Sequence, residues 1–161
     1  MFVRTYASSQ PYFTSIASEV ASDTTPPAAV TNLSVQGTGI LAQLQLSWSV
    51  PGNDEWNNTL SSGSAFIIQH STWPMLNWST STAQITVSTS GVVPGMQVSY
   101  LTTGFVVSNT YYFRIWHIDM TSHVSDLSNG ATIYIPMTVY TQASGNWNNK
   151  TTWEHGYVPW Q

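Results

Sequence analysis

Phe105-Val-Val-Ser-Asn-Thr-Tyr-Tyr-Phe-Arg-Ile115 is the most regular stretch of this chain. Phe105, Val107, Asn109, Tyr111, Phe113 and Ile115 alternate with Val106, Ser108, Thr110, Tyr112 and Arg114. Such alternation sends successive side chains to opposite faces of an extended backbone, so it predicts a strand with one apolar face. Trp116-His117-Ile118-Asp119 prolongs it, a polar loop follows from Met120 to Ser125, and Ala131-Thr-Ile-Tyr-Ile135 begins a second run. Upstream, Leu44, Leu46 and Trp48 share a face before Pro51-Gly52-Asn53-Asp54 breaks the run. Phe66, Ile68 and His70 share the next face, and Ile85 and Val87 begin another. Helical periodicity is absent. Seven or so short strands separated by turns predict an all-β sandwich or barrel.

Composition agrees. Only 6% of residues are charged, while 42% are hydrophobic and 13% aromatic, so the surface must rest on Ser, Thr, Asn and Gln. Eight Trp and eight Tyr supply enough apolar area for a packed core rather than a disordered polar chain. Arg4, Arg114 and Lys150 are the only fixed cations and the net charge is −4, so neither nucleic acid nor an anionic membrane surface is an expected partner. The chain has no cysteine, which excludes disulfides and thiolate chemistry. No run of about 18 apolar residues occurs to span a membrane. Met1-Phe-Val-Arg-Thr-Tyr6 lacks the apolar stretch of a signal peptide.

Asp23-Thr-Thr-Pro-Pro27 is the clearest boundary, because paired prolines stop regular structure and stiffen a linker. Pro26-Pro-Ala-Ala-Val-Thr-Asn-Leu33, then Leu46-Ser-Trp-Ser-Val-Pro51, Asn109-Thr-Tyr-Tyr-Phe-Arg-Ile115 and Leu127-Ser-Asn-Gly-Ala131 follow it in order. Together these resemble bacterial fibronectin type III domains over residues 25–136. The resemblance implies an immunoglobulin-like sandwich, with Trp48 as a core tryptophan and Tyr111 as the tyrosine corner. Val107 and Asn109 depart from the proline and threonine usual at those positions. On this reading Trp48, Tyr111, Phe113 and Ile115 are buried between the sheets, with Phe66 and Ile68 opposing them.

An internal repeat extends the reading to the ends. Phe2-Val-Arg-Thr-Tyr-Ala-Ser8 and Ser15-Ile-Ala-Ser-Glu-Val-Ala21 align with Phe113–Asp119 and Asp126–Thr132. Residues 1–24 therefore resemble the final hairpin and linker of a preceding domain. Ala143-Ser-Gly-Asn-Trp-Asn-Asn-Lys-Thr-Thr-Trp-Glu-His-Gly-Tyr-Val-Pro159 resembles the opening of repetitive β-domains in bacterial surface proteins. Residues 137–161 are expected to be a β tail or the start of a further domain.

Candidate chemistry is sparse. Asp119, His123 and Asp126, with His117 nearby, could hold a metal, but an ordinary polar loop with aspartates capping its turns explains them better. Asp54 and Glu55 are neighbours on a loop, where the separation needed by a glycosidase pair is hard to hold. No activated serine turn or phosphate loop occurs. No catalytic residue, metal or cofactor is expected. Trp56, Trp73 and Trp78 lie in long loops and, with Trp147 and Trp153, are candidates to stack on sugar rings or on a partner. The apolar residues Phe2, Tyr6, Ile16 and Val20 need cover that an isolated hairpin cannot give, which marks residues 1–22 as a candidate strand-pairing segment. The expected function is a non-catalytic extracellular or cell-surface structural module that self-associates or contacts adjacent domains of its own polypeptide. The alternative is a spacer or polysaccharide-binding accessory module.

Overall fold

A computed structural model describes residues 23–137, together with Gly145 and Asn149. Phe2, Tyr6, Ile16, Val20, Trp147 and Trp153 lie outside the described residues. Among the described residues, seven strands form two antiparallel sheets: β1 (Ser34–Gly37), β2 (Leu44–Ser49), β3 (Ala65–Ser71), β4 (Ile85–Ser88), β5 (Gln97–Thr102), β6 (Asn109–Ile118) and β7 (Ala131–Ile135). One sheet has the order β1-β2-β5, the other β4-β3-β6-β7. A 3-10 turn, Thr80–Thr82, interrupts the β3–β4 connection.

Burial follows the alternation. In β2, Leu44, Leu46 and Trp48 are buried while Gln45, Ser47 and Ser49 are half-buried. In β6, Tyr111, Phe113 and Ile115 face the interior. Trp48 meets Phe66 edge-on across the sandwich, with ring centroids 5.1 Å apart. The pairing of β3 with β6 corrects one expectation. Phe66 and Ile68 do not oppose Tyr111, Phe113 and Ile115 but sit beside them in one sheet, with Ile68 opposite Ile115 in register. They oppose Trp48 instead. Alternation fixes the face of a strand, whereas long-range pairing decides its sheet.

The regular stretch also ends sooner than its pattern suggests. Ser108 has φ 58°, a left-handed conformation that no strand continues, so β6 starts at Asn109. Phe105 still reaches the core, packing edge-on against Tyr111 at 4.9 Å. The Tyr111 hydroxyl accepts the Val106 N–H at 2.9 Å and ties this crossing to the strand. Val106 is exposed, so water can replace the bond. Tyr111→Phe should therefore cost about 1 kcal/mol, read as a shift in the urea midpoint without a change in slope. A loss of several kcal/mol would show that the crossing depends on more than this bond.

Side chains extend the ladder where the backbone leaves it. Ser128 N–H donates to Ile115 C=O, and the Ser128 hydroxyl accepts the Ile115 N–H. Ser125 does the same for His117. Both serines are buried, so the polar segment before β7 seals the end of β6. Asn129 spans 96 positions, accepting the Leu33 N–H and donating to the Leu33 C=O, which joins the entry of β1 to that of β7.

Candidate functional site

Two ends of the sandwich differ in chemistry. The 23–29 segment, the β2–β3 loop and the β6–β7 loop meet at one end. Asp23, Asp54, Glu55, Asp119 and Asp126, every carboxylate side chain among the described residues, gather there. The Asp23 carboxylate faces Asn53 Nδ2 at 3.4 Å and the Thr121 hydroxyl at 3.5 Å. Glu55 is bridged to the linker, since Glu55 N–H donates to Pro26 C=O and Ala28 N–H to Glu55 C=O.

This loop is tightly built. Gly52 N–H donates to Glu55 C=O at 2.8 Å, and a Cβ at Gly52 would lie 1.8 Å from the Asn57 carbonyl oxygen. Only glycine fits that approach. Glu55 and Asn58 hold left-handed φ values of 54° and 62°. The effect is to hold Trp56 outward, 44% exposed, on a loop anchored by backbone bonds. It forms one wall of a groove of about 350 Å³, with Pro26, Pro27, Glu55, Val124 and Asp126 among the lining residues.

Asp23, Asp119 and His123 each offer one ligand atom within 4.8 Å of the others. The group differs from the one expected. Asp126 lies outside it, exposed along the groove, and Asp23 joins it because the linker packs on a loop far away in sequence. Asp119 is already engaged as a turn cap. Its Oδ1 accepts the Thr121 N–H, the Thr121 hydroxyl and the His123 N–H, each at 2.8 Å, while Oδ2 meets His123 Nδ1 at 3.1 Å. Burial pushes its pKa up, but these hydrogen bonds outweigh burial and leave it below the usual carboxylate value. The Thr121 hydroxyl and Asp119 both face the same His123 nitrogen, Nδ1. A relay needs the hydroxyl and the carboxylate on opposite ring nitrogens, so this constellation cannot activate Thr121 as a nucleophile.

The remaining tryptophans divide. Trp73 is 65% exposed. The Arg114 guanidinium carbon lies 6.0 Å from the centroid of the Trp78 ring, a cation–π contact over the outer face of β6. Gln69 fastens this excursion to the sheet, donating to Thr82 and accepting from Ser79 N–H, both at 2.8 Å. Asp54 accepts from Asn58 at 2.6 Å and from Asn53 at 3.2 Å, as a turn residue does.

The opposite end carries no charged side chain among the described residues. Ile40 and Leu41 project from the β1–β2 turn, 64% and 55% exposed, and Tyr134 is 57% exposed on β7. Sequence reading missed them. The signal available was two large apolar residues inside Gly37-Thr-Gly-Ile-Leu-Ala-Gln43, a segment otherwise built as a turn.

No family model and no curated protein matches the chain. Solved structures do. The FN1–FN3 domains of chicken CNTN1 match with TM-score 0.50 at 15% identity, covering 73% of this chain and 36% of that one. An Fn3-like protein from Clostridium thermocellum matches with TM-score 0.46 at 17% identity, covering 71% and 98%. A myokine structure matches with TM-score 0.42 at 15% identity, covering 69% and 99%. The class is therefore an all-β, fibronectin type III-like sandwich. Among the described residues no helix is long and apolar enough to cross a membrane.

Proposed function

We propose that this chain is a non-catalytic extracellular structural module that associates with neighbouring copies by β-strand pairing. The observation that supports it is the state of two sheet edges. Among the described residues, β4 and β5 each end a sheet, and neither carries Lys, Arg, Asp, Glu or Pro. No such charge occurs anywhere from Trp56 to Phe113. Monomeric sandwiches guard their edges with charge, proline or bulges, because an open edge templates another strand. Leu101 and Met96 add exposed apolar surface beside β5, at 56% and 50%.

The test is a charge placed on each edge. Ser99→Lys in β5 and Thr86→Lys in β4 point away from the core and should leave stability within about 0.5 kcal/mol. Assembly seen by light scattering and electron microscopy should be lost in at least one variant. A wild-type chain that stays monomeric at every concentration would remove this reading and leave the spacer.

One observation favours an accessory role as well: Trp56 is presented on an anchored loop between Glu55 and Asp126. An indole face with flanking hydroxyl acceptors suits a pyranose ring. Quenching or blue-shift of Trp56 emission by a neutral oligosaccharide, absent in Trp56→Ala, is the expected signature. An unchanged spectrum across cellulose, chitin and mannan fragments would end it.

A further inference from the structure

The five carboxylates at the linker end are not equivalent. Asp54 accepts from Asn53 and Asn58, and Asp119 caps its turn. Asp23 accepts the Thr25 N–H and faces Asn53 and Thr121. Glu55 and Asp126 are unspent. Both are exposed, both line the groove of about 350 Å³ with Trp56, and neither carboxylate has a hydrogen bond or ion pair among the described residues. No cation balances them. Arg114, the one fixed cation among the described residues, donates to Ser128 C=O and contacts Trp78 on the outer face of β6.

The rest of the lining narrows what fits. Pro26 and Pro27 have no N–H, while the Ala28 N–H and the Glu55 N–H and C=O are taken up in the bridge between linker and loop. An extended peptide would find these groups already paired. What remains for a ligand is an indole face, which attracts cations through its quadrupole, and two carboxylates, which only accept hydrogen bonds. A neutral hydroxyl is served by donors and acceptors alike. An ammonium has three donors and no acceptor, so it matches a set made of acceptors alone. The flat indole suits the apolar face of a pyranose ring that carries such a group.

We propose, resting on the accessory reading of Trp56, that this groove selects a polysaccharide with free amino groups. Its pyranose ring lies on the Trp56 indole and its ammonium pairs with Glu55 or Asp126.

Calorimetric titration of the full chain with a glucosamine hexamer, and with the N-acetylglucosamine hexamer of the same linkage, tests it at a pH where the free amines are protonated. At low salt the free-amine hexamer should bind about tenfold more tightly, the size expected of an exposed cation–π contact with surface ion pairs. The preference should shrink towards unity at about 1 M salt, where charges on an open groove are screened. Glu55→Gln combined with Asp126→Asn should abolish the preference and keep the weaker binding of the acetylated hexamer. Trp56→Ala should weaken both. Equal affinities for the two hexamers overturn the amine preference and leave the accessory reading in place. Binding of neither removes that reading and the preference together. A lysine hexapeptide that binds wild type and Trp56→Ala as tightly as the glucosamine hexamer does shows bare charge attraction and overturns the site.

Discussion

Trp48→Ala should lower stability by about 3–5 kcal/mol, the largest single-residue effect expected in this fold. Trp48 is 1% exposed and is the largest of the fully buried side chains. Leu44, Leu46, Val50, Phe66 and Phe113 are all buried around this core, so a truncated site cannot collapse cheaply. The Trp48 Nε1–H has no hydrogen-bond partner, and deleting it removes a small unfavourable contribution along with the large favourable one. Trp48→Phe separates the two, since it keeps most of the apolar contact and drops the orphan N–H. It should cost far less than Trp48→Ala. Chemical denaturation of both variants gives the comparison, and a loss under about 1 kcal/mol for alanine would contradict the packing described.

Acid should destabilise the sandwich well above the range in which carboxylates titrate. His117 is fully buried, stacks on Phe66 with centroids 4.7 Å apart, and has no partner for either ring nitrogen. Burial pulls its pKa down to about 4, against a weaker opposing pull from the Asp119 charge. The unfolded chain takes up this proton near pH 6.5 and the folded chain does not until about pH 4. Between those values the unfolded state binds more protons, so stability falls as pH falls. The contribution is intact above the unfolded pKa, and about 3 kcal/mol of it is gone by pH 4. His70, among Phe105, Tyr111 and Phe113, is lowered by burial and acts in the same direction. His117→Phe should flatten most of this slope, leaving the remainder to His70. Equal slopes in the two proteins between pH 6.5 and 4 would show that His117 is not held neutral by the core.

Much of this architecture is local in origin and therefore legible in the chain. Alternation at Leu44-x-Leu46-x-Trp48 and at Tyr111-x-Phe113-x-Ile115 sets which side chains turn inward, because pleating follows from covalent geometry alone. The breaks at Pro51-Gly52 and the boundary at Pro26-Pro27 are equally local. Sparse charge told in advance that no basic surface could exist. Other features depend on residues far apart in sequence. That Phe66 and Ile68 share a sheet with Ile115 rather than face it comes from β3–β6 pairing. That Asp23 rather than Asp126 approaches Asp119 and His123 comes from the linker packing across the β6–β7 loop. Trp56 and Trp78 read alike as loop tryptophans, yet one is held outward by the close approach of Gly52 to Asn57 and the other makes a cation–π contact with Arg114. His117 continues the inward face of β6, but only the closed sandwich removes its water and leaves both nitrogens unpaired. Periodicity acts through each residue's immediate neighbours, so the sequence alone marked β2, β3, β4, β6 and β7 and the inward faces of β2, β3 and β6. Pairing, burial and the two unlike ends arise from contacts closed across the whole chain, and those the tertiary structure decided.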